Sequence, residues 1–199
     1  MSEPTAQIDL TASSLLRTLR EEADSLDVAV YAAVAATPTP AMDVGLRRLS
    51  RAADHSKLWL GCAVLLATFG GERGRAAAAD GLASIALTSP VVNLVLKRLG
   101  DRRRPDRHAA AVPLARQVTM PRSRSWPSGH AASAFAFATG VGAAWPAAGV
   151  PLSVVASVVA YSRVHTGVHF PSDAIAGTAS GVALAPVAVA GLRRLRGTS

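Results

Sequence analysis

The chain has 199 residues, of which half are apolar and only 5% are aromatic, and its mean hydropathy is positive. This composition is more typical of a membrane protein than of a water-soluble domain, and the length predicts one compact unit. The net charge of +8 comes mainly from arginine and favours anionic partners: phospholipid head groups, phosphorylated substrates or nucleic acid. The single cysteine excludes a disulfide framework and a cysteine-based metal site.

Two amphipathic helices are predicted within residues 1–56. Leucines recur at helical spacing over residues 11–35, with Thr11 as a candidate N-cap, but this segment is too polar to span a bilayer. Prolines at positions 38 and 40 end it. A second helix follows, in which leucines are set among arginines, and we expect it to lie on an anionic membrane surface. Its residues include Leu46, Arg47, Arg48, Leu49 and Arg51.

Long, weakly polar segments follow from Lys57 onward. They are rich in alanine and glycine, which suit close helix packing in lipid. The start of the chain, MSEPTAQIDL, lacks the basic start and the apolar core of a secretory signal peptide, so we expect membrane insertion to use these internal segments. Against the roughly 20 apolar residues that a span needs, the candidates are residues 57–71, 76–96, 129–147, 150–163 and 173–192.

The predicted fold is an all-α, integral-membrane helical bundle with roughly five to six spanning helices and amphipathic N-terminal helices. Residues 1–56 form the amphipathic segment, residues 57–192 the membrane-embedded domain and residues 193–199 a basic C-terminal tail. The segment from Val28 to Ala35 is too short to be a convincing first span, so the count is five or six.

Two polar connections concentrate the titratable residues. The first, residues 97–125, is strongly basic, and the second, residues 162–173, has the sequence SRVHTGVHFPSD. The two helices over residues 129–163 lead out and back. Both connections are therefore expected at the same membrane face, where one pocket could collect residues from both.

These connections carry residues that suit a phosphate monoester, which is a dianion with several acceptor oxygens. Lys97, Arg104 and Arg163 supply cations that can bind those oxygens. Ser128 and the amides around Gly129 supply a helix start, where backbone N–H groups favour anions. The expected ligand is therefore a phosphate group.

Phosphoryl transfer without a metal needs a nucleophile, an acid for the leaving oxygen and fixed positive charge. His130 and His169 are available for the first two tasks. Asp173 follows His169 by four residues, and its carboxylate could hold the imidazole in the tautomer that leaves one nitrogen free to attack.

Taken singly, these residues have ordinary structural explanations. Ser128 is interpreted as an N-cap, either histidine as a hydrogen-bonded structural residue, and Asp173 as a partner of a helix dipole. Other arginines of the basic loop are interpreted as a solvated face that binds lipid phosphates: Arg98, Arg102, Arg103 and Arg107. Three histidines receive no role: His55, His108 and His165.

The joint pattern is more specific than any single residue. In chain order it is Lys97-x6-Arg104-Pro105, then Pro127-Ser128-Gly129-His130, then Ser162-Arg163-x5-His169-x3-Asp173. This pattern resembles the complete three-part signature of the type 2 phosphatidic acid phosphatase superfamily. The motifs cover residues 97–173, and the helical pattern extends the resemblance to about residue 192.

The resemblance implies a helical-bundle phosphatase that works through a phosphohistidine, without a metal or another cofactor. Carried over by position, His169 would attack phosphorus, Asp173 would orient it, and His130 would protonate the leaving alkoxide and then serve as the base for water. The phosphoryl oxygens would be bound by Lys97, Arg104, Ser128, the Gly129 amide and Arg163.

A site at the ends of membrane helices favours a lipid phosphate held in the bilayer: phosphatidate, phosphatidylglycerophosphate, or a polyprenyl phosphate or diphosphate. The predicted location is the bacterial cell membrane, as a multi-pass protein. The alternatives are a phosphotransferase or vanadate-dependent haloperoxidase that uses the same pocket, and a non-catalytic lipid-binding membrane protein. A nucleic-acid partner is disfavoured because the basic loop lacks interleaved aromatics.

The membrane side of the site has two opposed indications. Members of the family usually place the site on the extracytoplasmic face, whereas the positive-inside rule assigns the basic loop, residues 98–124, to the cytoplasm. Three arginines after the last span, Arg193, Arg194 and Arg196, favour the opposite orientation. The loop between the first two motifs is short, so a lid over the site is expected to be small or to come from the N-terminal helices.

Overall fold

A computed structural model describes residues 12–197, and within that range the chain forms seven helices and no strand. They are α1 (Ala12–Ala36), α2 (Pro40–Ala52), α3 (Lys57–Phe69), α4 (Gly71–Leu99), α5 (Gly129–Ala144), α6 (Pro146–His165) and α7 (Pro171–Gly197). The predicted all-α class is confirmed, and each predicted segment is a helix to within a few residues. The predicted cap Thr11 lies outside the described residues.

Helix α5 lies at the centre of the bundle and packs against α4, α6 and α7. Its alanines allow this close packing on all sides, since Ala131, Ala134 and Ala138 are almost completely buried. Phe137 fills the space towards α3, where its ring lies 5.6 Å from that of the fully buried Trp59. The helix that begins with the PSGH motif is therefore the one that the other helices surround.

Three of the described helices are long and apolar enough to cross a membrane: α4, α6 and α7. Helices α3 and α5 have 13 and 16 residues, fewer than the roughly 20 that a span needs. Within α4, π-helical turns over Val91–Leu96 come directly after Pro90. These wider turns precede Lys97, the first residue of the three-part motif.

The sequence of α2 predicted a helix that lies on a membrane surface. In the structure, α2 packs against the bundle. One face packs against α6 and buries Asp43, Leu46 and Ser50, while Arg48 and Arg51 are exposed. The surface prediction considered the arginines and leucines and missed the buried polar residues of this helix.

Arg116 fixes α1 and α2 to the loop that follows α4. Its guanidinium group is 1% exposed, and Nε donates to Oδ1 of Asp43 at 2.9 Å. The other nitrogens donate to the carbonyls of Val34, Ala35 and Thr37 at the end of α1. Because those carbonyls have no partner within the helix, Arg116 caps α1 while it neutralises a buried carboxylate.

We expect Arg116→Met to lower the free energy of unfolding by roughly 3–5 kcal/mol, because it leaves Asp43 charged and buried without its ionic partner. Thermal unfolding of the purified protein in detergent measures this loss. Arg122→Met, at an exposed position of the same loop, is the matched control. Equal unfolding temperatures for the two variants would contradict the structural role of Arg116.

Helices α5 and α7 approach each other closely at two glycines. A Cβ atom on Gly177 would lie 2.3 Å from the carbonyl oxygen of Ser128, and one on Gly181 would lie 2.3 Å from that of Ala132. Backbone atoms cannot rotate away as side chains can, so a methyl group would push the helices apart.

We expect Gly177→Ala to destabilise the protein by about 1–3 kcal/mol and to reduce activity, since the displaced backbone belongs to Ser128. Gly191→Ala in the same helix should have neither effect, because a Cβ there would meet nothing within 4 Å. Thermal unfolding and turnover of both variants test this. A Gly177→Ala protein as stable as Gly191→Ala would show that the helices have room to separate.

Candidate active site

A cavity of about 420 Å³ opens at one end of the bundle, where α4 and α6 end and α5 begins. Helices α4, α5 and α6 contribute Ser89, Asn93, Lys97, Gly129, His130, Ser133 and Arg163. The connecting segments contribute Ala53, Asp54, His55, Ser56, Arg104, Thr119, Pro121, Ser123 and His169. The predicted meeting of the two polar connections in one pocket is therefore observed.

Two of the predicted site residues lie behind the wall of this cavity. Ser128 is fully buried, and its hydroxyl accepts a hydrogen bond from the amide of Ala131 at 3.4 Å, so it caps α5 as one interpretation proposed. Asp173 is also fully buried and lies beneath His169. The other six predicted residues line the cavity: Lys97, Arg104, Gly129, His130, Arg163 and His169.

The two ring nitrogens of His169 have different partners. Nη1 of Arg104 lies 3.1 Å from Nε2, whereas Oδ2 of Asp173 lies 3.4 Å from Nδ1. A guanidinium group can only donate, so Nε2 must carry the lone pair, and we assign the ring proton to Nδ1. Burial lowers the pKa of His169 to about 3, so the ring is neutral near pH 7. Its basic nitrogen therefore points towards the cavity cations.

Asp173 joins the second and third parts of the motif. Its Oδ2 accepts hydrogen bonds from the hydroxyl of Ser125 at 2.5 Å and from the amide of Phe170 at 2.9 Å. Its carbonyl oxygen accepts from the amide of Ser128 at 2.9 Å. Asp173, next to Nδ1 of His169, is thus itself fixed to the start of α5.

The three predicted cations reach the cavity from three different elements. Arg104 donates to the carbonyls of Ser123 and Val168 at 2.9 and 2.7 Å, and these bonds hold its guanidinium group beside His169. Burial lowers the pKa of Arg104 to about 10, a value at which it is still charged near pH 7. Arg163 is 1% exposed, and Lys97 donates to the Ser123 hydroxyl at 3.1 Å. This arrangement can neutralise a dianion next to Nε2 of His169.

His130 has a carboxylate partner that the motifs do not include. Its Nε2 lies 2.8 Å from Oδ1 of Asp54, in the short 3₁₀ turn Asp54–Ser56 before α3. This hydrogen bond from His130 lowers the pKa of Asp54, so the carboxylate is ionised near pH 7. The second histidine therefore faces a fixed negative charge.

Helix α1 supports the segment that carries His169 from outside the cavity. Asp27, 5% exposed, accepts from the amide and the hydroxyl of Ser172 at 2.8 and 2.6 Å, at the first turn of α7. Arg102 pairs with Asp27 at 2.6 Å, and its guanidinium group lies 4.3 Å from the centroid of the Phe170 ring. The expected lipid-binding role of Arg102 is therefore wrong, because an internal ion pair engages its side chain.

Arg107 also departs from the lipid-binding interpretation. It donates to the carbonyl of Val118 at 2.7 Å, and its side chain lies against Gly167, whose φ of +73° is left-handed. Arg98 and Arg103 are exposed, as that interpretation requires. His165, to which no role was given, lies 3.2 Å from the buried Asp43.

Sequence reasoning missed Asp54, Ser123 and Ser125. Ser125 lies two residues before the PSGH motif, and this proximity could have indicated that it belongs to the site. Asp54 precedes His130 by 76 residues and resembles an ordinary acidic residue before a helix, so no local pattern indicated its partner. His55, which was left without a role, lies on the cavity wall.

Comparison with known proteins agrees with this geometry. The family model of the PAP2 superfamily matches residues 78–196, more than half of the chain. The chain is 36% identical over 172 residues to the decaprenylphosphoryl-5-phosphoribose phosphatase of Mycobacterium tuberculosis, with 85% of this chain and 92% of that protein covered. It is 33% identical to the Mycolicibacterium smegmatis protein of the same name, with 77% and 80% covered.

Two solved structures share the fold. The crystal structure of Aquifex aeolicus LpxE superposes with a TM-score of 0.65 at 22% identity, over 82% of this chain and 94% of that one. A transmembrane PAP2 type phosphatidylglycerolphosphate phosphatase from Bacillus subtilis superposes with a TM-score of 0.64 at 25% identity, over 87% of each chain. The family match, the relatives and the cavity agree, and the chain belongs to the PAP2 superfamily of phosphatases.

Proposed function

We propose that the protein removes a phosphate group from a membrane lipid phosphate, without a metal ion, through a phosphohistidine at His169. One observation carries this proposal. A buried neutral histidine presents its basic Nε2 to a cavity lined by Lys97, Arg104 and Arg163, while Asp173 holds its other nitrogen. Such an arrangement supplies a nucleophile and the fixed positive charge that phosphoryl transfer needs.

The first step transfers the phosphoryl group to His169. The substrate phosphate binds between the three cations and replaces the contact of Arg104 with Nε2. Nε2 then attacks phosphorus in line with the leaving oxygen, and Asp173 stabilises the positive charge that develops on the ring. The helix start at Gly129 faces the same oxygens with its backbone N–H groups. Ser128 contributes by holding that helix start in place.

The second histidine completes the reaction. His130 protonates the leaving oxygen in the first step, and in the second step it accepts a proton from the water that attacks the phosphohistidine. The two histidines line the same cavity, so one bound phosphoryl group can face both. Inorganic phosphate then leaves, and both rings return to their starting state.

The proposed substrate is a polyprenyl-linked phosphate, with the enzyme spanning the bacterial cell membrane several times. The two relatives above 30% identity are decaprenylphosphoryl-5-phosphoribose phosphatases, which supports this class over phosphatidate. The cavity lining adds Ser89, Asn93 and Ser133 to the cations, and these polar side chains suit a hydroxyl-rich group between phosphate and lipid. The three long apolar helices support the membrane location.

We expect His169→Ala to lower phosphate release by at least about a thousandfold, because the phosphohistidine can no longer form. Release is measured on purified protein in detergent with EDTA present, across phosphatidate, phosphatidylglycerophosphate and prenyl mono- and diphosphates. His108→Ala, an exposed histidine outside the cavity, is the matched control and should keep wild-type activity.

Vanadate should inhibit competitively, since it mimics the pentacoordinate phosphoryl group that the cations stabilise. Loss of all activity with EDTA, or equal activity of His169→Ala and wild type, would refute the mechanism. Halide oxidation with added vanadate, or transfer of phosphate to an acceptor alcohol, would reveal the other reactions that this pocket can support.

The role of His130 predicts a dependence on the leaving group. His130→Ala should lower turnover of alkyl phosphates by roughly 10²–10⁴-fold but that of p-nitrophenyl phosphate far less, because nitrophenolate leaves without a proton. Steady-state kinetics on both substrates measure the difference. A uniform loss on both would assign His130 to phosphate binding and not to proton transfer.

A further inference from the structure

We infer that Asp54 is the positioning residue of His130: its carboxylate holds the Nε2–H of the ring, selects the other nitrogen for proton transfer and favours the proton-donating form of the ring. This inference rests on the proposed function, in which His130 protonates the leaving oxygen. The contact that motivates it is the 2.8 Å approach of Oδ1 of Asp54 to Nε2 of His130.

The backbone around Asp54 is held in an unusual conformation. His55 and Ser56, which follow it, have φ values of +55° and +60°, a left-handed region that residues with a Cβ rarely adopt. Neither the 3₁₀ turn nor α3 has a side-chain cap hydrogen bond in this described segment. The Asp54 carboxylate therefore caps neither the 3₁₀ turn nor α3. The turn instead presents this carboxylate to the cavity.

Charge balance indicates why His130 needs such a partner. Lys97 and Arg104 face the cavity from α4 and the following loop, and Arg163 faces it from α6, with Nη1 4.0 Å from Oδ1 of Asp54. His55 and His169 complete its titratable lining, and Asp173 lies behind His169.

Within residues 12–197, Asp54 is the single carboxylate that lines this cavity. Burial and the nearby cations disfavour a proton on His130, and the adjacent Asp54 opposes both effects. A bound phosphate adds negative charge only while substrate is present. Asp54 therefore favours the protonated ring before the substrate arrives.

The hydrogen bond also decides which nitrogen reacts. With Nε2–H held by Asp54, Nδ1 is the nitrogen left for the leaving oxygen. In the first step, the N–P bond forms at His169, the P–O bond breaks with its electron pair on the leaving oxygen, and that oxygen takes the Nδ1 proton of His130. In the second step, water attacks phosphorus, its proton goes to Nδ1, and the N–P electron pair returns to His169.

The first test separates charge from orientation. Asp54→Asn keeps an acceptor for Nε2–H but removes the charge, Asp54→Ala removes both, and Asp54→Glu restores the charge. We expect Asp54→Asn to lower kcat for alkyl phosphates by about 10–100-fold, with little change in KM or in turnover of p-nitrophenyl phosphate. Asp54→Ala should lower kcat further, and Asp54→Glu should restore part of the lost kcat. Glu72→Gln, an exposed carboxylate at the start of α4, is the control.

The pH profile gives the second readout. Turnover needs a protonated His130, so it falls when pH rises past the point where the ring loses its proton. Removing the carboxylate makes that proton easier to lose, so the alkaline limb of kcat in Asp54→Asn should move to lower pH. In a His130→Ala background, Asp54→Asn should add no further loss.

A measurement without turnover keeps this inference separate from the proposed function. In protein labelled with ¹⁵N-histidine, the Nε2–H signal of His130 should be present at pH 7 in the wild type and weakened or lost in Asp54→Ala. An unchanged signal, or an equal loss on both substrates with an unshifted pH profile, would overturn the role of Asp54. A wild type that releases no phosphate would refute the proposed function, and the spectra would still decide the contact.

Discussion

The hydrogen bond from the amide of Ser128 to the carbonyl oxygen of Asp173 joins the starts of α5 and α7, and the geometry of the cavity depends on this junction. It places the helix start at Gly129 against the segment that carries His169. The contact requires the close approach of the two helices at Gly177, where no side chain fits between them. Small residues on two helices thus determine the distance between the helix start at Gly129 and the segment that carries His169.

The charge distribution follows from this packing. Three cations enter one small cavity from separate elements, and the two histidines there have different carboxylate partners. The partner of His169 is the fully buried Asp173, and burial keeps that histidine neutral. The partner of His130 is Asp54, which lies on the cavity wall. The two histidines therefore lie in different surroundings, one beside a fully buried carboxylate and one beside a carboxylate on the cavity wall.

The N-terminal helices form a second layer around this centre. Asp27 of α1 binds the first turn of α7, Asp43 of α2 pairs with Arg116, and Ser50 of α2 accepts from Arg163. Each contact supports a residue or a helix end of the site, so the amphipathic segment helps to position the site. It also supplies the turn that places Asp54 on the cavity wall.

The sequence by itself determined the all-α class, the order of the helices and the residues of the three motifs, because those depend on local patterns and on residue type. Only the tertiary structure decided the partners: Asp54 for His130, Ser125 for Asp173, and Asp27 for Arg102. It also showed that Ser128 supports the cavity wall from behind. A local pattern reports on neighbours along the chain, whereas the pairing of charges depends on which helix faces pack together. Residues 76 positions apart can meet only after the bundle has formed.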